Sequence, residues 1–209
     1  MRKSIARAIP ILAVLVILAA GCASTTLQSE WRDPGYSGGP FRKIFVIGLS
    51  ARDITARRVF EDVMVSKLTA AGVQAVPEWQ YIKGEGQAPE GAMSAAVDST
   101  GADGVLMARV SAVDKQIQVS PVVVPGPAYG GWYGPYAGWY SGWYALPQVY
   151  QYDVVYVETT LFDTRTKRLV WSATSKTVDP ASIQQEAPAF ADTIIGAMQK
   201  AGLLPAPKS

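Results

Sequence analysis

The chain of 209 residues contains no histidine and no asparagine. Without histidine, Ser-His-Asp and Cys-His nucleophile systems cannot be built, and no histidine can ligate a metal. Cysteine is almost missing too. Cys22 stands alone, which excludes an intrachain disulfide and a cysteine zinc cluster. Charge is sparse at 17% of residues, against 49% hydrophobic ones. That balance supports a packed core and excludes wholesale disorder. The glycine loops that cradle phosphates are also lacking. No Gly-x-x-x-x-Gly-Lys-Ser/Thr run occurs, and Gly84-Glu85-Gly86 lacks the third glycine of a dinucleotide fingerprint. Neither a Gly-x-Ser-x-Gly elbow nor a Ser-x-x-Lys pair is present. The residues call for no cofactor and no metal.

What is present starts with a targeting pattern over residues 1–21. Arg2, Lys3 and Arg7 form a positive start, Ala8 to Ala20 is apolar apart from Pro10, and Ala19, Ala20 and Gly21 are small. That is the layout of a secretory signal, and the apolar run is short for a membrane span of about 20 residues. Leu18-Ala19-Ala20-Gly21-Cys22 resembles the lipobox of bacterial lipoproteins. The resemblance implies cleavage before Cys22, a diacylglycerol on its sulfur and an acyl chain on its new amine. Ala23 is not the aspartate that this family associates with inner-membrane retention, which implies the periplasmic face of the outer membrane. Cleavage would remove three cations from the 19 Lys and Arg against 17 Asp and Glu, leaving 16 against 17 and a formal net of −1. No basic stripe remains, so nucleic acid is not an expected partner.

Residues 22–40 read as a lipidated tether, broken by Pro34, Gly35, Ser37, Gly38, Gly39 and Pro40, with Trp31 interrupting it as a large apolar group that packs on the body as an edge strand or turn. The remaining domain spans 41–204. Ile44–Gly48 reads as a buried strand, 53–71 as a helix stopped by Gly72, and Val73–Pro77 as a strand. Pro89–Thr100 reads as a short helix and Gly104–Val113 as a strand that can run on to Ser120. Tyr150–Asp163 and Leu169–Val178 alternate as a hairpin, and Pro188–Ala201 closes the chain as a helix. The expected class is α/β: one mixed sheet with a parallel βαβαβ start, an antiparallel hairpin end and about three packing helices. On the first helix, Val59, Phe60, Val63 and Leu68 mark the inner face. Arg57, Arg58, Glu61 and Asp62 read as a solvated one.

Two groups of residues stand out as candidates for function. Glu158, on a strand with a buried pattern, is the best carboxylate for acid–base work. Asp153 and Asp163 point to the other face by parity, and a paired structural role for Glu158 is the simpler reading. The second group is the loop 125–147, with six glycines and four prolines. It holds Tyr129, Trp132, Tyr133, Tyr136, Trp139, Tyr140, Trp143 and Tyr144, eight of the 21 aromatic residues. Gly-Trp-Tyr starts at Gly131, Gly138 and Gly142 at unequal intervals, a bias of composition rather than a repeat. So many apolar rings are not left in water. They pack on the body, meet a membrane surface or serve as a binding loop, for which a protein partner or a stacked sugar is the candidate.

Trp31-Arg32-Asp33-Pro34, Pro40-Phe41-Arg42-Lys43, Gly101-Ala102-Asp103, Tyr150-Gln151-Tyr152-Asp153-Val154 and Leu169-Val170-Trp171-Ser172 resemble a family of bacterial lipoproteins that carry a domain of unknown function. The element order is similar to the amino-terminal domain of the Tol-system propeller protein, the curli secretion lipoprotein and lipoprotein activators of peptidoglycan synthases. The resemblance implies a non-enzymatic envelope protein, held to a membrane through Cys22, that binds another envelope protein or peptidoglycan.

Overall fold

The computed structural model describes residues 25–49, 53–82, 90–125 and 143–207. Its elements are β1 (Thr26–Arg32), β2 (Lys43–Leu49), α1 (Ile54–Ala70), β3 (Gln74–Pro77), a 3₁₀ turn (Glu78–Gln80), α2 (Glu90–Thr100), β4 (Gly104–Pro125), β5 (Trp143–Asp163), β6 (Arg168–Val178) and α3 (Ile183–Lys200). The strands form one sheet in the order β1-β6-β5-β4-β2-β3. β2 runs parallel to β3 and β4, while β5 and β6 extend the sheet antiparallel and β1 closes its edge. This is the mixed α/β sheet expected from the sequence, with three α-helices among the described residues.

Local chemistry sets the helix ends. The Asp53 side chain accepts the Ala56 N–H at 2.8 Å and caps α1. At the other end Gly72, at φ +86°, donates to the Thr69 carbonyl, and Val73 donates to Leu68. That Schellman turn needs a left-handed residue, which glycine supplies at least cost. α3 ends in the same way at Gly202.

α1 and α3 cover one face of the sheet. Ile44, Val46, Leu106, Leu161 and Trp171 pack there against Met64, Leu68, Phe190, Ile194 and Met198. Phe60 meets Phe190 edge to face at 5.6 Å where the two helices touch. The other face has a smaller core, in which Phe45 and Ile47 pack with Ala96 and Val97 of α2. Ile194 and Trp171, taken from the sequence as core, are both fully buried.

The structure corrects four expectations. The segment expected to be a tether over 22–40 contains β1, in which Glu30 accepts the Trp171 indole N–H at 2.8 Å. α3 begins five residues ahead of Pro188 because Ser182 caps it, leaving that proline inside the helix. β4 and β5 run much longer than their hydrophobic cores, pairing continuously as far as Pro125↔Trp143. The loop expected over 125–147 thus gives up Pro125 and residues 143–147 to strands. Pro121 sits opposite Pro147 in that ladder, and such a pair fits where neither N–H is needed between the strands. The fourth correction concerns α1 and belongs to the site below.

Candidate functional site

The parallel strand β2 ends near the starts of α1 and α3, where open α/β sheets generally place their ligand crevices, while its neighbour β4 runs on past it. A cavity of about 320 Å³ lies there, at the lower end of the range for small-molecule sites. Its floor is Ala108 and Val110 of β4 with Val155 and Val157 of β5. Leu49 and Phe60 form one wall, and Ile183, Ala187 and Phe190 the other. Arg57, Arg109 and Glu186 are the charged residues on walls that are otherwise mainly apolar, and Arg57 and Glu186 are about nine-tenths buried. Glu186 accepts the Ala181 N–H at 3.3 Å, and its second oxygen has no hydrogen-bond partner among the described residues.

Beneath the cavity lies the fourth correction. Arg57 and Glu61, expected on a solvated face of α1, point into the protein; Arg58 and Asp62 do face solvent. Glu61 is completely buried, and its two oxygens accept the backbone N–H groups of Gly48 at 2.9 Å and Trp79 at 3.2 Å. Burial pushes its carboxyl up to about 7, against the pull of those two amides. Burial also raises Glu78, which Arg57 opposes from 3.7 Å. Outside this core the Trp79 indole donates to Asp62 at 2.9 Å, with Arg58 6.0 Å from its ring centre. Glu61 therefore acts as a clamp between β2, α1 and the 3₁₀ turn. Its hydrogen-bonding positions are filled by the protein itself.

Glu158 has the paired role that the sequence favoured. Arg109 Nη2 lies 2.6 Å from its carboxylate, and Arg109 Nε donates to the same oxygen at 2.9 Å. Asp163 accepts the Thr166 N–H in the β5–β6 turn, while Asp153 stands exposed opposite Lys115. The three carboxylates are not brought together as an acid–base pair. Among the described residues, no three His, Cys, Asp or Glu side chains form a group that could hold a metal ion. No described helix is long and apolar enough to cross a membrane. Cys22 and the loop residues Tyr129, Trp132, Tyr133, Tyr136, Trp139 and Tyr140 lie outside the described residues. Trp143 and Tyr144 open β5, opposite Pro125 and Val124.

Sequence reasoning missed the cavity. Two signals for it were present: the Asp53 cap, which aims α1 at the end of β2, and the Glu61 carboxylate at a helix position otherwise facing the core.

No protein-family model and no curated protein matches the chain. Among solved structures it is similar to the PelC dodecamer from Paraburkholderia phytofirmans, at 16% identity over 87% of this chain and 99% of that one, with a TM-score of 0.43. It is also similar to lipoprotein GNA1162 from Neisseria meningitidis, at 14% identity over 77% and 96% with a TM-score of 0.43. A third similarity is to a neuraminyllactose-binding hemagglutinin homolog from Helicobacter pylori, at 12% identity over 81% and 90% with a TM-score of 0.33. Likeness at this level leaves the functional reading to the chain's own residues.

Proposed function

We propose that the chain is a lipoprotein of the bacterial cell envelope, anchored through Cys22 on the periplasmic side of the outer membrane. It acts there as a non-enzymatic binding or scaffolding module. The observation that carries the binding role is the cavity at the end of β2, floored by β4 and β5. Its walls are largely apolar, and the ionisable groups beneath it are held by internal partners: Glu61 by two amides and Glu78 by Arg57. Such a hollow can accept an apolar group, and it presents no nucleophile paired with a base. The anchor rests on the signal pattern and the Leu18–Cys22 lipobox.

Site-specific photo-crosslinking in intact cells tests the module. A crosslinker placed at Leu49, on the cavity wall, is expected to give one discrete protein adduct that disappears when Ala108→Phe fills the floor. Adducts spread over many abundant proteins, unchanged by that substitution, would overturn the binding reading. Cys22→Ser tests the anchor separately, since it should prevent acylation and release the protein from the membrane fraction.

A further inference from the structure

Beyond Asp114 of β4 and Val154 of β5 the sheet narrows to two strands, because β2 ends opposite Arg109 and β6 ends at Val178, opposite Val154. From Lys115↔Asp153 to Pro125↔Trp143 the ribbon extends about 33 Å, at ~3.3 Å per residue. Its two faces differ in chemistry. Val113, Ile117, Val119 and Val149 share one face and are 53%, 69%, 60% and 64% exposed. Gln116, Gln118, Ser120 and Gln148 share the other with Tyr150 and Tyr152. Three polar residues share the apolar side: Gln151, opposite Ile117, and the cross-strand pair Lys115 and Asp153, which lies between Val113 and Ile117 at the ribbon's root. From residue 116 to residue 152 the sequence has no Asp, Glu, Lys or Arg. Charge resumes at the base of the ribbon, where Lys115 and Asp153 sit opposite one another.

An isolated two-stranded hairpin is marginal in water, and a row of half-exposed valines and isoleucine does not favour solvent. The position of the amino-terminal segment says what covers it. Thr26, where β1 begins, pairs with Lys176, two residues before the Val178 that pairs with Val154. β1 therefore starts at the end of the sheet from which the ribbon leaves. Cys22 precedes Thr26 by four residues, a reach of at most about 14 Å. A lipid on Cys22 holds the root of the ribbon close to the bilayer.

We propose that the ribbon is a second membrane contact. Its Val113, Ile117, Val119 and Val149 face rests on the phospholipid surface, and its glutamine face stays in water. This deepens the proposed function and rests on its lipid anchor. One copy lies on the surface rather than crossing it, because the two ribbon edges carry unpaired N–H and C=O groups that hydrocarbon would leave unsatisfied. At the headgroup level those groups keep their water, as on an interfacial amphipathic helix.

Flotation with vesicles of phosphatidylethanolamine and phosphatidylglycerol tests this. The protein is residues 22–209 with Cys22→Ser, so that no acyl chain contributes. It is expected to float with the vesicles, and high salt is expected to leave the binding unchanged, because an uncharged contact is not screened. Ile117→Asp with Val119→Asp should weaken binding about tenfold or more. Gln116→Asp with Gln118→Asp, the same charge on the other face of the same strand, should bind close to the parent. Equal loss in both pairs would overturn the proposal, as would a parent that stays in the aqueous fraction. So would a parent whose apolar face is buried by self-association, shown by sedimentation as an oligomer that Ile117→Asp with Val119→Asp dissolves. If the lipidated protein fractionates with membranes while the unlipidated one never floats, the anchor stands and the ribbon contact falls.

Discussion

The Gly48 N–H donates to Glu61 Oε1 at 2.9 Å, joining the end of β2 to the middle of α1 inside the protein. Burial of that carboxyl, which outweighs the pull of the bond, makes stability depend on pH. Glu61 has a folded value near 7, against 4.5 for an ordinary glutamate. Between those two values the folded protein holds a proton that the unfolded chain has lost. Stability is therefore expected to fall as pH rises through that window and to level off above it. Glu78, raised in the same direction, adds to the trend. Denaturant melts across the window check this. In Glu61→Gln the slope should flatten, and the midpoint should drop at acidic pH because the amide cannot accept from both Gly48 and Trp79. A parent that becomes more stable from pH 5 to 7 would contradict the assignment.

Trp171 is fully buried and its indole nitrogen donates to Glu30. Trp171→Ala should cost about 3–5 kcal/mol, and Ile194→Ala about 2–5 kcal/mol. Thermal melts that leave both midpoints unchanged would show that these side chains are not in the core.

Arg109 and Glu158 are close, but the arginine side chain is 60% exposed and the glutamate 34%. An ion pair in that setting contributes little, and Arg109→Ala is expected to lower stability by under about 1 kcal/mol. A double-mutant cycle with Glu158→Ala measures the coupling directly.

The ribbon should be removable. Lys115 and Asp153 are cross-strand partners, so replacing residues 116–152 by Asn-Gly closes the hairpin with a two-residue turn. The melting midpoint of the shortened protein is expected to stay within a few degrees of the parent, since no third strand pairs with the excised part. A large fall would place the ribbon in the body of the fold.

The main elements were legible because their apolar periods are plain. Ile44–Gly48 and Leu169–Val178 read as strands, and Leu68, Phe190, Ile194 and Met198 were placed inward by spacing alone. Three features were hidden for physical reasons. Glu61 and Arg57 look solvated because charge at a helix position ordinarily seeks water. Only the bare amides of Gly48 and Trp79, visible in three dimensions, explain a carboxyl in the core. Most of β1 was hidden because Gln28, Ser29 and Glu30 lack a strand pattern, and only Trp31 read as an edge strand or turn. It is an edge strand that depends on β6 for its partners. The ribbon was shortened because prolines at 121, 125 and 147 argue against strands, a rule that relaxes where two strands pair alone.

The pairing of β1 with β6 also orders the events of folding. Glu30 and Trp171 are separated by 141 residues, and Asp33 and its partner Arg168 by 135. Closing so long a loop carries an entropic cost that local contacts do not. The βαβ unit of β2, α1 and β3 needs only neighbours in sequence. β1 has nothing to bind until β6 has joined the sheet. β1 is thus expected to zip last, and until it does the sheet presents the bare backbone of β6 along one side.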